Sequence, residues 1–214
     1  MSTVLRRAPQ QARGRRRIDA ILDAAEQVLA EAGYEGATTN AIAARADTSI
    51  GSLYQFFPNK DAIMQALGLR YIDRCRDAFT PLLSPAAADL PMNVWIDRIV
   101  DALDSTEKAN AGFKELFSSA ATTPDLAAAD NAMHHQFIVG LDSALAERMP
   151  HLDPERRLVC AEVGVRTAEA IMPLLAESPG ARRALVLAEL KVLLAAYMQR
   201  TLDEEPQAEP NRQD

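Results

Sequence analysis

Apolar positions recur at helical spacing along most of this chain. Ile18, Ile21, Leu22, Ala25, Val28, Leu29 and Ala32 fall on one stripe, which predicts a helix from Arg15 that Gly33 closes. Thr38 and Thr39 each offer a hydroxyl to cap a short second helix with Ile42, Ala43 and Ala46 on its apolar face. Asp47 then stands where a tight turn needs a positive φ, which Asp tolerates better than most non-glycine residues. Thr48 or Ser49 caps a third helix that reaches Phe57 and is stopped by Pro58. Asn59 caps a long fourth helix whose apolar positions Ile63, Leu67 and Tyr71 continue to Phe79.

Two short helices joined by a tight turn and braced by a third form the helix-turn-helix unit. Beyond Pro81 and Pro85, Pro, Gly and Ser/Thr/Asp signals bound further helices at 89–107, 112–119, 124–149, 154–177 and 179–202. Runs of Val, Ile and Thr are absent, while Ala and Leu abound, so the expected class is all-α. The expected organisation is a flexible basic arm at 1–14, a helix-turn-helix domain at 15–62, a C-terminal helical domain at 63–203 and a disordered polar tail at 204–214.

The last two helices, about 154–177 and 180–202, are apolar nearly all round. Such helices need cover on both sides, and two from each of two subunits satisfy this in a four-helix arrangement, so a homodimer is expected through them. Pro173 lies inside the first of the pair and predicts a kink.

Charge changes this picture in one respect. The net charge of −7 speaks against a uniform nucleic-acid binder, but it is unevenly spread. Residues 1–61 hold eight Lys and Arg against seven Asp and Glu, with six of the arginines before Ile18, and the remainder holds fifteen against twenty-three. The asymmetry suits a chain that meets nucleic acid at one end. Ile18–Ala32 is broken by four acidic residues, so neither a signal peptide nor a membrane span is expected, and the chain is expected to be cytoplasmic. Cys75 and Cys160 have no histidines at ligand spacing and are expected to be reduced packed thiols, and His134 and His135 diverge on a helix, so no metal or other cofactor is expected.

On the third helix, Leu53 and Phe57 point inward with Phe56 beside them, which leaves Ile50, Gly51, Ser52, Tyr54 and Gln55 outward. Gly51 permits close backbone approach, Ser52 and Gln55 suit base edges or phosphates, Ile50 suits a thymine methyl, and the Tyr54 hydroxyl has the reach for a phosphate. With no arginine on this helix, bidentate guanine readout is not expected from it, and the arginine arm and DNA shape are expected to share the work of specificity. In the C-terminal domain, Trp95, Phe113, Phe117, Met133, Phe137 and Met172 are the large adaptable side chains available to line a cavity for a small apolar or aromatic effector.

With the preceding GYEGA, the stretch TTNAIAARADTSIGSLYQFFPNKDAIMQAL resembles the N-terminal domain of the TetR family of bacterial transcriptional regulators. It departs from the family pattern at Asp47, usually glycine, and at Thr48, often valine; a buried Thr48 hydroxyl needs a partner. The resemblance implies a homodimer on a double-stranded, pseudo-palindromic operator, released by a small-molecule effector in the C-terminal domain. It also implies DNA contacts from Thr39 and Asn40 at the start of the second helix, Tyr54 in the third and Lys60 opening the fourth; with the capping Thr38 and Ser49 these complete the candidate surface. The alternatives are a DNA-bound activator or architectural protein without an effector and, from another class, a helical enzyme, for which no catalytic triad, metal-ligand set or phosphate loop is present in the sequence.

Overall fold

The computed structural model describes residues 7–110, 112, 116 and 124–203. The tail at 204–214, the first six residues and most of the helix expected at 112–119 fall outside them. Among the described residues the order is α1 (Arg7–Gly36), α2 (Thr39–Arg45), α3 (Ile50–Tyr54), α4 (Lys60–Phe79), a short 3-10 turn (Pro85–Ala87), α5 (Met92–Ala109), α6 (Pro124–Arg148), α7 (Pro154–Glu177) and α8 (Gly180–Leu202). No strand occurs among them, in keeping with the all-α expectation.

α1 begins eight residues before the expected start at Arg15, so residues 7–14 are helix and not the flexible arm expected there. Pro9 falls in the first turn, where its missing N–H costs no intrahelical bond, and Gln10, Gln11, Ala12 and Arg13 are good helix formers. This part of α1 has no apolar stripe, which is why periodicity did not reveal it. At the other end Gly33 adopts φ 70°, breaking helical geometry where a cap was expected, although helix is assigned to Gly36.

The chain divides into two compact units, one gathering the chain up to Cys75 with Thr106–Ala132, the other Arg76–Ser105 with the chain from Met133 on. This differs from the expected boundary at residues 62 and 63. The core of the first unit explains the difference: Ile21, Leu22, Val28 and Leu29 of α1, Ile42 of α2, Leu53 of α3, and Ile63, Leu67 and Tyr71 of α4 bury together with Leu116. α4 therefore belongs to this core through Tyr71, and a residue distant in sequence completes it. Cys75, the last residue of that stretch, is buried, and burial pushes its thiol up to about 11, so it is neutral and unreactive near pH 7.

The second unit centres on Trp95, Ile96, Val100, Leu145, Met149, Cys160, Leu190, Leu194 and Met198. Trp95 is fully buried, donates from Nε1 to Leu82 O at 2.7 Å, and is covered by the Arg148 guanidinium 4.0 Å from its ring centroid. Arg148 in turn donates to Leu90 O at 2.9 Å and to Ala87 O. α7 and α8 pack closely enough that a Cβ added at Gly164 would meet Met198 Cε at 2.8 Å. α7 runs through Pro173 without interruption. On α7 and α8, Leu158, Val159, Val163, Leu174, Leu185, Val192 and Leu193 are exposed, the last three by 67%, 64% and 53%.

Candidate nucleic-acid interface

The surface expected to read DNA is assembled from local rules. Thr38 caps α2 by accepting from Ala41 N at 3.2 Å, and Ser49 caps α3 by accepting from Ser52 N at 3.1 Å. Between the two helices Asp47 adopts φ 47°, the positive value expected of the turn. Thr48 N donates to Ala43 O at 3.0 Å, but its buried hydroxyl lacks the partner it was expected to need. An orphaned hydroxyl costs about 1–3 kcal/mol, the penalty for a polar side chain where valine is common.

α3 spans only Ile50–Tyr54, shorter than the helix expected to Phe57. Pro58 disfavours helical geometry at Phe57, yet the N–H groups of Phe56 and Phe57 both still reach Leu53 O at 3.0 Å, so the turn keeps its aim. Leu53 and Phe57 are buried and Phe56 is half-buried, while Ile50, Gly51, Tyr54 and Gln55 are exposed and Ser52 half-exposed, the division the spacing predicted. The helix is held by its inner face.

The expected contact residues gather around it. Thr39 Oγ1 lies 3.3 Å from the Tyr54 hydroxyl, which pins the tyrosine beside the start of α2, and Asn40 is exposed next to them. α4 opens at Lys60, with Asn59 Oδ1 accepting from Ala62 N at 2.8 Å as the expected cap. Lys60 Nζ donates to Tyr34 O and lies 4.1 Å from the Tyr34 ring centroid, so one of its three donors is spent on the end of α1 and two remain. The Tyr34 hydroxyl donates to Asp61 at 3.4 Å, and burial first, then Asp61, raises its pKa.

Two features escaped the sequence. Arg45 of α2 is paired with Glu31 of α1, and that hydrogen bond holds the Glu31 carboxyl below its ordinary range. Arg17 of α1 donates from Nη1 to Ser52 Oγ at 3.0 Å, bringing an arginine to the recognition helix from outside it. The i, i+3, i+4 spacing of Arg13, Arg16 and Arg17 is the signal the sequence carries for it, with only Arg13 in the part of α1 that lies before the expected start.

Of the residues expected to line an effector cavity, Trp95, Met133, Phe137 and Met172 are among the described ones. Trp95 is packed core, with its N–H satisfied and one face covered. Met133 is buried, Met172 half-buried, and Phe137 meets Phe79 edge to face with centroids 4.9 Å apart. Phe113 and Phe117 lie outside the described residues. His134 Nε2 lies 2.9 Å from Glu169 Oε1, while His135 is exposed.

Comparison with known proteins decides the family. The model for bacterial regulatory proteins of the tetR family matches residues 21–67, and that for the tetracyclin repressor-like C-terminal domain matches residues 91–198, half of the chain. The chain belongs to the TetR family. A similar curated protein is the HTH-type transcriptional repressor KstR of Mycobacterium tuberculosis, 29% identical over 143 residues, 65% of this chain and 61% of the repressor. The chain thus matches less than two thirds of that relative's length. Among solved structures, a TetR-family transcriptional regulator from Streptomyces coelicolor superposes with TM-score 0.63 at 27% identity, covering 86% of this chain and 98% of that one. Salmonella enterica GusR superposes with TM-score 0.67 at 20% identity over 86% and 95% of the two chains, a likeness of fold. The TetR family consists of regulators and not enzymes, which removes the enzymatic alternative.

Proposed function

We propose that this TetR-family chain is a homodimeric, sequence-specific repressor that binds a pseudo-palindromic operator in the cytoplasm and is released by a small, largely apolar molecule. The observation that carries the DNA-binding part is the construction of α3: an inner face fixed by Leu53 and Phe57, an outer face of Ile50, Gly51, Ser52, Tyr54 and Gln55, and Thr39, Asn40 and Lys60 beside it. Residues anchored in a core keep a reading surface rigid, which lowers the entropy cost of docking.

The exposed Leu185, Val192 and Leu193 on α8, with Leu158, Val159 and Val163 on α7, support dimerisation through these two helices. Contiguous apolar surface of this kind gains about 25 cal/mol per Å² when a second copy covers it. Met133, Phe137 and Met172 remain the adaptable side chains for the effector.

Tyr54 and Lys60 test the docking. Tyr54→Ala and Lys60→Ala are each expected to weaken operator binding across all sequences alike, and Lys60→Ala to lower the slope of log affinity against log salt by about 1. Titration of both variants at several salt concentrations checks this. Unchanged affinity in both sinks the proposed docking.

A further inference from the structure

α3 carries no arginine, yet a guanidinium lies on its outer surface. Arg17, an exposed residue of α1, donates from Nη1 to Ser52 Oγ across 3.0 Å. Arg13, Arg16 and Arg17 border one groove of about 650 Å³ with Asp47, Ser52 and Gln55. The groove lies wholly within the unit that holds α3.

The hydrogen bond fixes which way the serine can act. A guanidinium only donates, so one lone pair of Ser52 faces Arg17 and the hydroxyl proton must point elsewhere. The Ser52 backbone N–H is already taken by Ser49 Oγ at 3.1 Å. What this pair can offer outward is therefore two adjacent donors, the Ser52 O–H and the remaining N–H groups of Arg17. In the major groove only guanine presents two adjacent acceptors, N7 and O6; adenine pairs an acceptor with a donor, and thymine has a single acceptor beside a methyl.

We propose that Arg17 and Ser52 form a composite guanine reader, the guanidinium supplied by α1 and aimed by the hydroxyl of the recognition helix. The assignment rests on the reading of α3 as the base-contacting helix. Phosphate oxygens are acceptors too, and the test separates the two targets.

Bound duplexes are selected from a random pool by the unsubstituted protein, and each position of the recovered site is then varied for Arg17→Gln, Ser52→Ala and the double variant. The expected site has one guanine per half-site whose exchange for adenine weakens the unsubstituted protein roughly ten- to hundred-fold. In either single variant that discrimination falls to within a few-fold, preferences elsewhere in the site persist, and the double variant loses little more than either single one. Arg17→Lys, which keeps charge and donors but not the planar fork that aims one N–H at Ser52 Oγ and another outward, should retain general affinity with a weakened guanine preference; it also serves if another variant fails to fold. A guanine preference that survives in the variants while affinity falls uniformly and the salt slope drops assigns Arg17 to a phosphate and overturns the proposal. So does an unchanged profile. Failure of the unsubstituted protein to enrich any sequence overturns the reading of α3 itself, and this assignment with it.

Discussion

Leu116→Ala is expected to destabilise the unit that carries the DNA-reading helix by about 2–5 kcal/mol, although residue 116 lies far beyond that helix in sequence. The side chain is fully buried among residues of α1, α2, α3 and α4, so its removal leaves a cavity that the surrounding helices cannot readily close. The chain passes close to those helices just before it. A Cβ added at Gly112 would meet Leu29 Cδ2 at 2.9 Å, and Glu26 O and the Tyr71 hydroxyl each at 3.1 Å, so a larger residue there would force these neighbours to give way. Native-state hydrogen exchange reads the outcome: amides of α1 and α4 should lose protection. Protection lost instead around Trp95, in the other core, would return Leu116 to the C-terminal domain that the sequence boundary implied.

Glu26→Gln should cost about 3 kcal/mol, the lower end of the cost of breaking a buried ion pair. Glu26 of α1 is only 8% exposed, and its carboxylate meets Arg70 Nη2 at 2.9 Å and Arg74 Nη1 at 3.1 Å. Arg74 also donates to Asn110 Oδ1 at 2.7 Å, and Asn110 Nδ2 donates to Thr106 O at 2.7 Å, so one acidic group ties α1, α4 and the end of α5. Removing the charge leaves two guanidinium groups with less compensation. The cost stays at the low end because Asp23 still pairs with Arg70 at 2.6 Å and Arg74 is partly solvated. Urea unfolding measures it. A loss below about 1 kcal/mol would place the cluster with ordinary surface pairs.

Local rules made the helix-turn-helix unit legible. The stripe of α1, the caps at Thr38, Ser49 and Asn59, the positive φ of Asp47 and the inward set of Leu53 and Phe57 each depend on residues within a few positions of one another. What the sequence hid depends on distance or on a missing stripe. The first turns of α1 have no apolar stripe in sequence, so periodicity does not reveal them. The Arg17 to Ser52 bond spans 35 residues, Lys60 to Tyr34 spans 26, and Leu116 enters a core built from the other end of the chain. Trp95 reads as pocket or core in a sequence, and its bond to Leu82 O and its cover by Arg148 both come from residues far from it in the chain. The candidate surface was thus visible as a set of residues, but nothing in the sequence joined Arg17, on the helix expected from Arg15, to Ser52.

Selection of bound duplexes from a random pool by the purified protein tests the central claim most directly. The account predicts a pair of inverted half-sites centred about one or two helical turns apart, the spacing set by two recognition helices of a homodimer in successive major grooves. Recovery of no enriched sequence, or of a lone half-site without its inverted mate, would contradict it.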